Sequence, residues 1–180
     1  VREQHDFEFP IETEQLVRCV QDAWDDLLKT QIAGRLCIGV DFELPAQAIG
    51  VILEKLITFR VAETGPWRGQ SCKSEKDVVH TVDLQKSFEI KTSSSSRGIY
   101  GNKSTKSAAQ HKSKDRDGFM LAVNYDIPSM NAPAGKLRLI RIGWITDDDW
   151  VGQKSNTGQQ AYIPAPIAKS KLKEIFAACV

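Results

Sequence analysis

The chain has 180 residues, 41% hydrophobic and 26% charged, enough for one domain with a real hydrophobic core. Its formal net charge of +1 excludes indiscriminate polyanion binding, and no apolar run approaches a membrane span. Cys19, Cys37, Cys72 and Cys179 are scattered without a C-x-x-C, so neither a zinc ribbon nor a disulfide framework is expected; reduced thiols in a cytoplasm fit better.

Residues 1–11 read as a polar extended arm without the apolar stretch of a signal peptide. Glu12 or Thr13 caps a helix running to about Lys29, with Leu16, Val20, Trp24, Leu27 and Leu28 at helical spacing. Gly34 ends that region, and 35–42 is a short extended run. Pro45 opens a second helix over 46–60, whose apolar face holds Ile49, Leu53, Leu56 and Ile57, with Glu54 beside it. Residues 63–74 read as a loop. Strands are predicted over 77–81, 88–92, 119–125 and 137–145, and a short terminal helix over 170–178. This order gives an α/β fold, a central mixed sheet flanked by helices. No internal repeat or dividing linker is present, so residues 1–180 are expected to form a single domain.

The segment Ser87-Phe88-Glu89-Ile90-Lys91-Thr92 carries the chemistry. Alternation along a strand puts Glu89 and Lys91 on one face and Phe88 and Ile90 on the other. Asp77 lies twelve positions before Glu89. A turn around Asp83-Leu84-Gln85-Lys86 folds the two strands into a hairpin, setting Asp77 beside Glu89 with Lys91 adjacent. Two carboxylates can hold Mg²⁺ and a lysine can steady an attacking water, which is equipment for phosphodiester hydrolysis. The plainer alternative is a surface hairpin whose Glu89 and Lys91 simply pair. The polar face, however, runs straight into Thr92-Ser93-Ser94-Ser95-Ser96, hydroxyls suited to phosphate oxygens. Asp83 competes with Asp77 for the acidic role but falls in the turn.

Between Arg97 and Arg116 lie six basic residues (Arg97, Lys103, Lys106, Lys112, Lys114, Arg116) and one acid, Asp115. A basic stretch on a nearly neutral chain points to a directed anionic partner. His5, His80 and His111 show no metal-ligand spacing, and a structural role is expected for His80. Asp147-Asp148-Asp149 reads as a turn or helix cap with solvated acids rather than a metal cluster.

Lys76-Asp77, Phe88-Glu89-Ile90-Lys91-Thr92-Ser93 and Gly98-Ile99-Tyr100-Gly101-Asn102-Lys103-Ser104 together resemble the PD-(D/E)xK nucleases, specifically type II restriction endonucleases of the ScaI kind. Gly118-Phe119-Met120-Leu121-Ala122-Val123-Asn124-Tyr125, Leu139-Ile140-Arg141-Ile142-Gly143-Trp144, Asp149-Trp150-Val151-Gly152-Gln153 and Thr157-Gly158-Gln159-Gln160-Ala161 follow in the same order. Lys76 stands where the superfamily motif has proline. The resemblance spans residues 47 to 163. It implies that Asp77 and Glu89 bind Mg²⁺ with the Ile90 carbonyl, that Lys91 positions the attacking water, and that Glu54 is the helix-borne acid near the metal.

It also implies double-stranded DNA as substrate and a homodimer cutting a short palindromic site in a prokaryotic cytoplasm. Two recognition loops are expected, at about 93–116 and 152–161. Ser93, Ser94, Ser95, Arg97, Tyr100, Asn102, Lys103, Lys106, Lys112 and Lys114 are DNA-contact candidates in the first, and Lys154, Asn156, Gln159 and Gln160 in the second. Asn and Gln can pair with adenine, Arg and Lys with guanine or with phosphates. A structure-selective repair or junction nuclease, or a DNA-binding protein without catalysis, would share the basic loop; the ordered segments favour the restriction enzyme.

Overall fold

The computed structural model describes residues 8–102, 117–152 and 160–178. Helix α1 covers Thr13–Lys29, as the spacing predicts, and buries Leu16, Cys19, Val20, Ala23, Trp24 and Leu27 along one stripe. A two-stranded hairpin follows, β1 (Gln31–Ile32) against β2 (Leu36–Cys37). Helix α2 covers Ala46–Ala62 with Pro45 at its N-cap. It is apolar on nearly every side: Ile49, Leu53, Ile57 and Val61 are buried, while Val51 and Phe59 remain 60% and 71% exposed.

The next strands are β3 (Trp67–Gly69), β4 (Val78–His80), β5 (Phe88–Ser93), β6 (Tyr100–Asn102), β7 (Gly118–Asp126) and β8 (Lys136–Ile145). They are followed by β9 (Val151–Gly152), β10 (Gln160–Tyr162), helix α3 (Ala165–Lys171) and β11 (Leu172–Ala177). The main sheet has the order β11-β8-β7-β5-β4-β3, with β5 and β7 parallel and the remaining pairs antiparallel. This is the mixed sheet expected from the sequence.

One face of the sheet (Phe88, Ile90, Leu121, Val123, Ile140, Ile142) packs with α1 and α2 into the main core. Each fully buried leucine or isoleucine there contributes about 1.5–3 kcal/mol. On the opposite face Ile99, Met120, Ala122, Ile145, Ile163, Ala168 and Leu172 make a second, smaller core. Glu89 and Lys91 lie on that second face.

Within the main sheet the structure departs from the predicted elements in two places. The 63–74 segment is not all loop: Trp67, Arg68 and Gly69 pair with His80, Val79 and Val78 to form the sheet edge. The terminal segment is not one helix over 170–178. It is α3, then β11 on the free edge of β8. Leu172 stands opposite Gly143, where an added Cβ would lie 2.1 Å from the Lys171 carbonyl oxygen. That close approach, with an edge of unpaired backbone groups to satisfy, overrides the helical spacing read from the sequence.

Candidate active site

Strands β4 and β5 pair only at Val78 opposite Phe88. One step further the Asp77 side chain does what a backbone carbonyl would otherwise do: its Oδ2 accepts the Ile90 amide at 2.8 Å. Asp77 is 6% exposed, held where the strands part. The turn that closes this hairpin is a short 3-10 segment, Leu84–Lys86, in which Asp83 Oδ1 accepts the Gln85 amide at 3.1 Å. Asp83 is thus a turn residue. His80 accepts the Asp83 amide at Nδ1 and packs edge-on against Trp67 at 4.6 Å between ring centroids, a structural role.

Glu89 and Lys91 alternate with buried Phe88 and Ile90. The Lys91 ammonium lies 2.8 Å from Glu89 Oε1, 3.1 Å from the Ile90 carbonyl oxygen and 3.8 Å from Asp77 Oδ2. Three oxygens from three residues therefore converge on one cation. Among the described residues no three His, Cys, Asp or Glu side chains form a ready-made metal cluster. Two carboxylates and a carbonyl suit Mg²⁺, which keeps several waters and takes few protein ligands, and do not suit zinc.

Glu54 reaches this site from α2. Burial pushes its carboxyl above the usual carboxylate range and the Asp77 charge pushes it further, while Lys55, at 3.2 Å, and Lys91 pull it back less. The approach of α2 depends on Gly50, one turn earlier, where a Cβ would meet Thr92 Oγ1 of β5 at 2.6 Å. Lys76, at the motif's proline position, donates to the Asp117 carbonyl at 2.9 Å and so ties the start of β4 to the start of β7.

The profile of the ScaI restriction endonuclease family matches residues 3–176. The chain belongs to this family. A curated relative, type II restriction enzyme ScaI from Streptomyces caespitosus, is 36% identical over 172 residues, covering 93% of this chain and 75% of the relative. No solved structure matches. The chain is accordingly a type II restriction endonuclease of the ScaI family, a site-specific deoxyribonuclease.

The two recognition loops expected in this ScaI-family chain spring from one small sheet of order β6-β10-β9. Asn102 stands opposite Gln160 and Tyr100 opposite Tyr162, so the stems of both loops form a single ribbon. Tyr100, Gln160 and Tyr162 are exposed, whereas Ala161 is buried. Tyr162, which sequence reasoning did not select, is in register with Tyr100; a three-residue strand carries too short an alternation to have signalled it. Gly101 has no room for a Cβ, because Trp150 lies 2.9 Å from where it would be.

Ser93 and Ser95 serve the turn after β5: Ser93 Oγ accepts the Ser95 amide at 3.1 Å and Ser95 Oγ accepts the Gly98 amide at 3.0 Å. Ser94 lies between them, half-buried. Arg97 is exposed and ion-paired with Glu174 of β11. Lys103, Lys106, Lys112, Lys114, Lys154, Asn156 and Gln159 lie outside the described residues.

The Asp147–Asp149 segment is a short 3-10 turn with a capping box on Thr146, in line with the cap predicted for these acids. Asp149 is buried rather than solvated and pairs with Lys171 at 2.7 Å.

Proposed function

We propose that this endonuclease hydrolyses double-stranded DNA at a short palindromic site, with Mg²⁺ held by Asp77, Glu89 and the Ile90 carbonyl. The observation that carries the reading is the ammonium of Lys91 seated among those same three oxygens. A cation already occupies the place the resemblance gives to the metal, so the donor set suits a cation in both charge and chemistry. When bound, Mg²⁺ would neutralise charge on the scissile phosphate and acidify a nearby water. Lys91 positions the attacking water for in-line displacement at phosphorus. Glu89, rigid on β5, orients Lys91, and Asp77 is oriented by the Ile90 amide. Glu54 supplies a further carboxylate at the rim, with a raised proton affinity.

Recognition and catalysis share one domain. Reading falls to the ribbon of β6 and β10 and the loops at about 93–116 and 152–161. Tyr100, Asn102 and Gln160 are the candidates for base contacts, with Arg97 and the lysines of the first loop on phosphates. Cutting both strands of a palindrome calls for two copies related by a two-fold axis. The apolar side chains of Val51 and Phe59 on the outer face of α2 support a second copy seating there. The compartment is the bacterial cytoplasm, where invading DNA is met.

The test is incubation of a long, fully sequenced, unmethylated DNA with the protein in Mg²⁺ or EDTA. Discrete Mg²⁺-dependent fragments are expected, and sequencing their ends gives the site and the cut geometry. A smear would replace this reading with a nonspecific or structure-selective nuclease. Intact DNA with every divalent ion would leave a DNA-binding protein without catalysis.

A further inference from the structure

On the catalytic face of the sheet, Lys91 of β5 stands opposite Ala122 of β7, and Ala122 opposite Arg141 of β8. Two pairs along, on the same face, Ser93 stands opposite Asn124. Asn124 and Arg141 are 1% and 4% exposed and bonded to each other, Arg141 Nη2 donating to Asn124 Oδ1 at 2.7 Å. Together they grip the turn that leaves β5. Asn124 Nδ2 donates to the Ser95 and Gly98 carbonyls, each at 2.9 Å, and Arg141 Nη2 donates to the Arg97 carbonyl at 2.8 Å.

Three carbonyls within four residues are thus fixed to the floor of the sheet. The next residue, Ile99, is 2% exposed in the second core, and its carbonyl accepts the Ile163 amide at 3.1 Å. The chain then enters β6, which pairs with β10. Gly98 permits this path: a Cβ there would meet the Tyr100 ring at 2.5 Å and Ser95 Oγ at 2.7 Å.

As a stabilising device this arrangement is poor. Arg141 is a buried cation whose contacts at 2.7 and 2.8 Å are to neutral oxygens, and its buried Nε has no hydrogen-bond partner among the described residues. The carboxylate in register with it, Glu174, is engaged by Arg97. An apolar pair of similar volume would fill the same space without that desolvation cost. What the polar pair supplies is directional: it fixes the position of the ribbon relative to Lys91.

We propose that Asn124 and Arg141 are positioning residues that hold the β6–β10 ribbon in register with the catalytic strand, and so set how strictly cleavage depends on sequence. This rests on the reading of the ribbon as the DNA-reading surface. Only a ribbon held in register brings Lys91 to the scissile phosphate when the correct bases are engaged. A loosened ribbon lets imperfect sites reach the same chemistry.

The test compares wild type, Asn124→Asp and Arg141→Lys on a duplex bearing the mapped site and on duplexes with one base pair changed. Asn124→Asp keeps the shape and the bond from Arg141, but places an oxygen where Nδ2 donated to two carbonyls. Arg141→Lys keeps the charge and the stem while losing the planar reach. In both, the ratio of kcat/KM on the correct site to that on single-change sites should fall about tenfold or more, a change of the size one mismatched pair carries. Hydrogen exchange should rise at residues 95–100 and stay unchanged in β7 and β8.

A ratio unchanged in both variants overturns the proposal, even if all rates fall together with the melting temperature, as a purely structural pair would give. Wild type leaving DNA intact in Mg²⁺ overturns the nuclease reading itself. Wild-type cutting with an unchanged variant ratio overturns only the positioning role.

Discussion

Asp77 and Ile90 are joined across the hairpin by a single bond, the Ile90 amide to Asp77 Oδ2 at 2.8 Å, while the Ile90 carbonyl accepts from Lys91 at 3.1 Å. One peptide group on each side of Ile90 thereby sets the positions of both a carboxylate and the ammonium. The same ammonium is 2.8 Å from Glu89. Lys91 is the counter-ion of both acids.

On the proposed assignment, Lys91 and a divalent ion compete for the same oxygens. Lys91→Met removes the competing charge and leaves Asp77 and Glu89 facing each other. The variant should cut on the order of 10²–10³-fold more slowly or worse, the loss expected on removing a group that stabilises the transition state. It should nevertheless bind Mg²⁺ or Mn²⁺ more tightly than wild type when titrated calorimetrically without DNA, and gain more melting temperature from the ion. Weaker binding in Lys91→Met would show that the ion does not use these oxygens.

Glu54 makes a pH-dependent prediction. Burial and then the Asp77 charge raise its carboxyl in the folded chain. A carboxyl raised on folding binds its proton more tightly in the native state than in the unfolded one. Its penalty is therefore absent below the unfolded value and grows as pH rises through the raised folded value. In metal-free buffer Glu54→Gln should melt higher than wild type at pH 7 to 8, and the gain should vanish near pH 4. Thermal unfolding across that range decides it; a gain that persists at low pH would mean that packing, not charge, is responsible. The same substitution should slow cleavage if the carboxylate works at the metal.

Much of this was legible in the sequence, for reasons specific to particular elements. The stripe from Leu16 to Leu27 has one helical reading, and α1 spans the predicted residues. The alternation through Phe88, Glu89, Ile90 and Lys91 fixed which side chains share a face, and the structure brings Asp77 to them. The terminal segment was not legible, because Leu172, Ile175 and Phe176 fit a helix as well as a strand. The choice falls to the free edge of β8 and the gap above Gly143, both tertiary facts. The pairing of the two loop stems was likewise hidden: β6 and β10 are three residues each, too short to carry a period. Asn124 and Arg141 read only as polar interruptions of apolar strands until the turn they hold is seen.

The last prediction concerns the pair that anchors α3 and the turn before β9. Asp149 Oδ2 accepts from the Thr146 amide at 2.8 Å, from Thr146 Oγ1 at 2.9 Å and from Lys171 Nζ at 2.7 Å. Burial alone would raise its carboxyl, but the bonds from Lys171 and Thr146 outweigh that and hold it below the usual range. A carboxyl depressed on folding contributes stability above its unfolded value, and loses it as pH falls through the folded one. Lys171→Met removes the strongest partner and leaves a charge at 8% side-chain exposure. The expected cost at pH 7 is about 1–3 kcal/mol, the range for leaving a buried polar group without a partner. Protonation relieves that cost, so the difference in unfolding free energy between wild type and Lys171→Met should shrink as pH falls below 4. Denaturant titrations at pH 7 and pH 3.5 measure it, and an equal difference at both would show that Lys171 acts through its aliphatic stem against the second core.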